Sequence, residues 1–141
     1  MFGKVLLAID LNEAQGSARA AKAALALTAQ SGGEMHVVNV LPDSGMAMVG
    51  AALGPAREAE ILQEAKTALR AFAGEHLPGM PERAMHIVQG TIYDRIIATA
   101  NDIGADTIVV GSHRPEFKDY LVGPNAARVV RHANQSVLVV R

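Results

Sequence analysis

The chain has 141 residues, with 13 basic against 14 acidic side chains, a net charge of −1 and no cysteine. At roughly 150 residues per domain this predicts one domain over residues 1–141, able to bury about two-thirds of its unfolded surface around one core. The even charge argues against holding nucleic acid or a membrane by bulk electrostatics, and the lack of cysteine excludes a disulfide scaffold, thiol catalysis and thiolate-bound metal.

Val5–Ile9 is a short unbroken apolar run ending at Asp10, the pattern of a strand buried on both faces of a parallel sheet. It is too short for the roughly 7–15 apolar residues of a secretory leader, and no run reaches the roughly 18 of a membrane span. The expected location is therefore cytoplasmic. Ala14–Gln30, rich in Ala and Leu, halts at Gly32-Gly33 and reads as a helix with a glycine stop. Glu34–Leu41 is β-branched and reads as the second strand. Pro42–Pro55 has no period and reads as a loop. Its Gly- and Met-rich part, Ser44–Gly54, suits either an adaptable lid or partner patch, or a loosely packed connection. Ala56–Leu77 is a helix ended by Pro78-Gly79, and Ala84–Val88 is the third strand. Ile92–Ile103 is a helix stopped by Gly104, Thr107–Val110 the fourth strand, Pro124–Ala133 a helix and Val137–Val140 the fifth strand.

Strands alternating with helices predict a parallel sheet covered on both faces, with right-handed crossovers. In such sheets ligands bind beyond the carboxyl ends of the strands, where the strand order reverses. Asp10 follows strand one. It serves there either a ligand ribose or amine, or the turn or N-cap of the next helix. Gly111, Ser112, His113 and Arg114 follow strand four, and Gly123-Pro124-Asn125 opens the last helix. Gly111 admits close backbone approach, Ser112 and His113 offer hydrogen bonds, and Arg114 offers a guanidinium to phosphate. A helix start at Gly123 offers N–H groups and a positive dipole to an anion. The same residues also make an ordinary polar loop, with Gly123 as cap and Pro124 in the first helical position. Neither a Walker A loop nor a dinucleotide fingerprint is present.

Of the five histidines, only His113 stands at this site. His36 and His86 fall on strands and read as sheet-end or partly buried residues, and His132 sits near a helix C-terminus, where a cation is favourable. No tight ligand spacing predicts a metal. Ser112, His113 and Asp10 make a poor hydrolytic triad: adjacent Ser and His rarely orient for proton transfer, and no Gly-x-Ser-x-Gly elbow exists. The apolar strand Val137–Val140, if it lies at the sheet edge, is either shielded by its neighbours or paired with a second copy across a two-fold axis.

Gly111-Ser112-His113-Arg114-Pro115 followed by Tyr120–Arg141 resembles the C-terminal signature of the universal stress protein family, and the Ser-His-Arg-Pro stretch its F/G-type bacterial subgroup. Lys4–Asp10 is similar to that family's first strand and Gln89–Ile97 to its third strand-to-helix turn, so the resemblance runs the length of the chain. It implies a three-layer α/β sandwich of the adenine nucleotide alpha hydrolase-like type, with a five-stranded parallel sheet of order 3-2-1-4-5. It also implies a homodimer through Val137–Val140, and ATP or AMP, with or without Mg, at the ends of strands one and four. By position, Asp10 matches the aspartate near the adenosine and Val40 the strand-two residue flanking the adenine. Gly111 and Gly123 match the first and third glycines of the family motif, and Ser112, His113, Arg114 and Asn125 complete the expected binding set.

Two departures stand out. Arg114 replaces the second motif glycine, with eight residues rather than nine before Gly123. Pro124 replaces a Ser or Thr and removes a hydroxyl and an N–H. Losing one charge-assisted bond costs about 1.5–3 kcal/mol, roughly ten- to a hundredfold in affinity. The N–H groups of Asn125 and Ala126 remain. The resemblance thus implies a nucleotide-binding stress-response or signalling dimer with an unknown protein partner, and at most slow ATP hydrolysis or self-phosphorylation. The rival expectation, favoured by Pro124, is a dimer that binds no nucleotide and acts through protein contacts alone.

Overall fold

The computed structural model describes residues 1–42, 54–112 and 123–141. In chain order it contains β1 (Lys4–Ile9), α1 (Ala14–Ser31), β2 (Glu34–Leu41), α2 (Pro55–His76), β3 (Met85–Gln89), α3 (Ile92–Ile103), β4 (Thr107–Gly111), α4 (Pro124–His132) and β5 (Ser136–Val140). The strands pair in parallel as one five-stranded sheet in the order β3-β2-β1-β4-β5, as expected.

Alternation along β1 sorts its side chains between two helical layers. Val5 and Leu7 share a buried cluster with Ala20 and Ala24 of α1 and Leu69 and Phe72 of α2. Leu6 shares the opposite cluster with Ile96 and Ala100 of α3 and Val129 of α4. The alanine face of α1 lets that helix lie close on the sheet. β1 is central and fully covered, which is why its sequence is an unbroken apolar run.

Several element boundaries differ from expectation by a residue or two, each for a local reason. α2 begins at Pro55 rather than Ala56. Proline lacks only an N–H that the first helical position would leave unbonded. Ala84 is not in the third strand: it closes a 3-10 turn, Glu82–Ala84, in which its N–H bonds the Pro81 carbonyl at 3.0 Å. β3 therefore starts at Met85. α4 ends at His132, and Ala133 is already extended. Gly111 completes β4, in register with Val140 of β5. The stretch Ser44–Leu53 of the Gly- and Met-rich loop lies outside the described residues.

Candidate functional site

After β1 the chain turns to α1 on one face of the sheet, and the helix that follows β4 packs on the other. The two exits leave a cavity of about 650 Å³ above the carboxyl ends of the central strands. That is the size range of small-molecule sites, at the position where open α/β sheets bind ligands.

The floor is formed by Asp10, Asn39, Val40 and Gly111. One wall comes from Gly16 and Ser17 of α1 and from Ile61, Ala65 and Ala68 of α2. The other comes from Ile92 and Ile96 of α3 and from Pro124, Asn125 and Ala126 at the start of α4. Most of these side chains are small or aliphatic, so the space exists because residues that would fill it are missing.

Asp10 is held by its own backbone. The Ser17 hydroxyl accepts from the Asp10 N–H at 3.1 Å and donates to the Asp10 carbonyl at 2.8 Å. The Asp10 carboxylate accepts from the Asn12 N–H at 2.9 Å, a turn-forming bond. Glu13, not Asp10, occupies the N-cap position of α1. Gly111 faces Gly16: a Cβ on Gly111 would lie 3.9 Å from the Gly16 carbonyl oxygen. Ser112 is buried, and its N–H donates to the Val140 carbonyl at 2.9 Å, tying the end of β4 to β5. The buried Gly123 donates its N–H to the Ser112 carbonyl. That N–H is already used, and Pro124 has none. The helix start therefore offers the N–H groups of Asn125 and Ala126, which have no intrahelical acceptor. Val40 and Asn125 line the cavity as expected. His113 and Arg114 lie outside the described residues.

The described part of the lining carries charge of one sign. Among the described lining residues the ionisable ones are Asp10, Glu13 and Glu64, all acidic. Glu64 is bound by Arg57 at 3.2 Å, and the Glu60 and Glu64 carboxylates raise the pKa of the Arg57 guanidinium. The contribution of α2 to the site was not expected from sequence. Nor was Asn39, although a lone amide inside Val37-Val38-Asn39-Val40 is the kind of interruption that flags a strand-end contact.

His36 and His86 sit away from the cavity, near the amino ends of β2 and β3. Their rings stack with centroids 5.1 Å apart, and His36 Nδ1 lies 2.8 Å from His86 Nε2. His36 Nε2 lies 2.8 Å from Glu34 Oε1. A carboxylate only accepts, so His36 donates from Nε2 to Glu34, and the neutral ring then accepts at Nδ1 from His86. Burial first, then the neighbouring His36, pushes the His86 pKa down. The hydrogen bond from His36 and the cations Lys4 and Arg83 hold Glu34 below its usual range. His132 leans on Tyr93 at 5.5 Å, with Arg128 over the same ring at 5.6 Å, which fits a packing role. Among the described residues no three His, Asp or Glu side chains are grouped to hold a metal, and no helix is long and apolar enough to cross a membrane.

Comparison with known proteins bears on this arrangement directly. The model of the universal stress protein family matches residues 1–141. The chain belongs to the universal stress protein family. Universal stress protein G of Shigella flexneri is 33% identical over 144 residues, covering 100% of both chains. Universal stress protein G of Salmonella typhimurium is 36% identical over 144 residues, with the same coverage. The F/G-type likeness therefore holds. Among solved structures, the hypothetical protein MJ0577 superposes with a TM-score of 0.79 at 24% identity, covering 99% of this chain and 96% of that one. A universal stress protein in complex with cAMP superposes with a TM-score of 0.66 at 19% identity, covering 99% and 97%. These structural likenesses concern the universal stress protein fold alone.

Proposed function

We propose that this chain binds an adenine nucleotide, ATP or AMP, in the cavity above β1 and β4, and acts as a homodimeric stress-response or signalling module. The observation that carries the reading is the cavity itself. It has the volume of a nucleotide-sized ligand and gathers Asp10, Val40, Gly111, Ser112, Gly123 and Asn125 around it. The cAMP-bound relative supports an adenine ligand for this fold. Asp10 would bond the ribose and the Val40 backbone the adenine. The start of α4, through Asn125 and Ala126, would meet the phosphates, with Ser112, His113 and Arg114 beside them. Gly111 and Gly123 would contribute space, not bonds. Magnesium would enter with the phosphates, since it usually keeps its waters and needs few protein ligands.

The partner for the dimer would be a second copy at β5. Among the described residues no strand pairs with the outer edge of β5, and Leu138 is 37% exposed there. Residues 1–141 would act as one domain, in the cytoplasm. A dimer that works by protein contact alone is the second reading. Pro124 and the acidic lining favour it, because both weaken the hold on phosphate.

Denaturing the purified protein, assaying released nucleotide and titrating ATP calorimetrically separates the two readings. The first expects nucleotide or heat; neither, at about millimolar ATP, would leave the second. Gly123→Val should abolish binding while keeping the fold. The φ of −65° at this buried glycine suits any residue, so the effect would be steric crowding of the phosphate path. Unchanged affinity in Gly123→Val would mean that the site lies elsewhere.

A further inference from the structure

We infer that Asn39 reads the base of the bound ligand, selecting a purine that presents a 6-amino group beside a ring nitrogen. The inference rests on the nucleotide reading above and adds to it the residue that sets base preference.

Asn39 is 6% exposed. Buried polar atoms are nearly always bonded, and among the described residues the buried side-chain atom without a partner is Gln135 Oε1. The buried polar side chains other than Asn39 are tied within the protein. Ser17 bonds Asp10, His36 bonds Glu34 and His86, Thr99 donates to the Arg95 carbonyl at 2.7 Å, and Thr107 donates to Asp106 at 2.8 Å. The Asn39 carboxamide makes no hydrogen bond within the described residues, and its polar atoms are not sealed away: they open on the cavity that the residue lines. Its place in the alternation of β2 puts it on the same face as Val37, under α1 and α2. The residues of those helices that share the cavity with it are small: Gly16, Ser17, Ala65 and Ala68. Space and an unspent amide therefore coincide.

A carboxamide presents its carbonyl acceptor and an N–H donor side by side in one plane. The edge of adenine that complements it presents the 6-amino group as donor and a neighbouring ring nitrogen as acceptor, the pairing by which Asn recognises adenine in nucleic acids. Among the described lining residues the acids Asp10 and Glu13 point the same way, since a neutral base meets no repulsion from them while a polyphosphate does. Asn39 precedes Val40, whose backbone is the other expected adenine contact, and its side chain reaches the opposite face of the sheet.

The test is a cycle between one side chain and one ligand group. Wild type and Asn39→Leu are titrated with AMP and with purine riboside monophosphate, which lacks the 6-amino group. Wild type should prefer AMP by roughly tenfold or more. In Asn39→Leu the two ligands should bind within about threefold of each other, and the thermal midpoint should hold or rise, because an apolar isostere leaves nothing unsatisfied. A second variant, Asn39→Asp, keeps the oxygen for the amino group but loses the N–H for the ring nitrogen. It should bind AMP roughly tenfold more weakly and still prefer AMP. An undiminished preference in Asn39→Leu, or unchanged AMP affinity in Asn39→Asp, would overturn the role of Asn39 and leave the nucleotide reading standing. A wild type that binds neither ligand would overturn both.

Discussion

At the amino ends of the strands, polar groups close on one another; at the carboxyl ends they stand around a cavity. The Asp106 carboxylate accepts from the Gly3 N–H at 2.8 Å and from the Thr107 hydroxyl at 2.8 Å. Lys4 Nζ donates to the Ile103 carbonyl at 3.0 Å, and Glu34, His36 and His86 form a chain. At the other end Gly16 faces Gly111, Asn39 has no bonded partner among the described residues, and Asp10 is fixed by Ser17. The same sheet is sealed at one end and open at the other. Backbone groups at both ends need partners, so the open end is the one where a ligand can supply them. Hydrogen bonding alone does not mark a binding site. The mark is a polar group that the protein leaves unbonded and that opens on a cavity, as Asn39 does.

The largest expected effect belongs to neither end and calibrates both. Leu7 is fully buried at the centre of β1. Leu7→Ala should cost about 2–5 kcal/mol of unfolding free energy, read from urea denaturation, because it removes buried methyl groups and leaves a cavity. A cost under about 1 kcal/mol would mean that the two helical layers collapse freely onto the sheet.

Next comes a direct contrast between the ends. Asp106→Ala should lower stability by about 1–2 kcal/mol, since it strips the Gly3 N–H and the buried Thr107 hydroxyl of their acceptor. The exposure of Asp106 itself keeps the figure at the low end. Asn39→Leu at the open end should cost nothing. If the two substitutions destabilise equally, the distinction between a sealed and an open end fails.

Much of the fold was legible in the chain. Glycines at 32 and 104 stop helices in the left-handed conformation, with φ of 70° and 72°, as their positions after Ala-rich and Ile-rich segments foretell. The unbroken run Val5–Ile9 gave away the central strand. Asp10, Gly111 and Asn125 were traceable because strand ends are where α/β sheets place ligands, and Val40 through the family resemblance. What α2 adds was not traceable. Ile61, Ala65 and Ala68 lie far from β1 in sequence, and only packing brings them over Asn39. The unavailability of the Gly123 N–H was equally hidden, because it depends on where the Ser112 carbonyl points.

The smallest effect tests the sealed end by protonation. His86 titrates below its ordinary 6.5 because burial and His36 disfavour its charged form. Unfolded, it would take up a proton near 6.5; folded, it resists until lower pH. The unfolded state therefore binds more protons in that window, and stability falls as the pH drops from about 6.5 through the folded pKa. Glu34 and Asp106, both held below their ordinary 4.5 and 3.8, extend the loss in the same direction at more acid pH. The charged groups around His86 set the limits. Glu34 accepts through His36, and Lys4 and Arg83 stand against Glu34, so a proton added to the histidine pair meets positive charge nearby. Urea midpoints measured at pH 8 and pH 5.5, both above the carboxylate window, should differ in the wild type and differ less in His86→Gln, which keeps a donor for His36 but cannot titrate. Asn39 at the open end carries no proton to exchange and contributes nothing to this dependence. An equal pH difference in His86→Gln would move the acid sensitivity away from the histidine pair and leave the sealed end sealed for another reason.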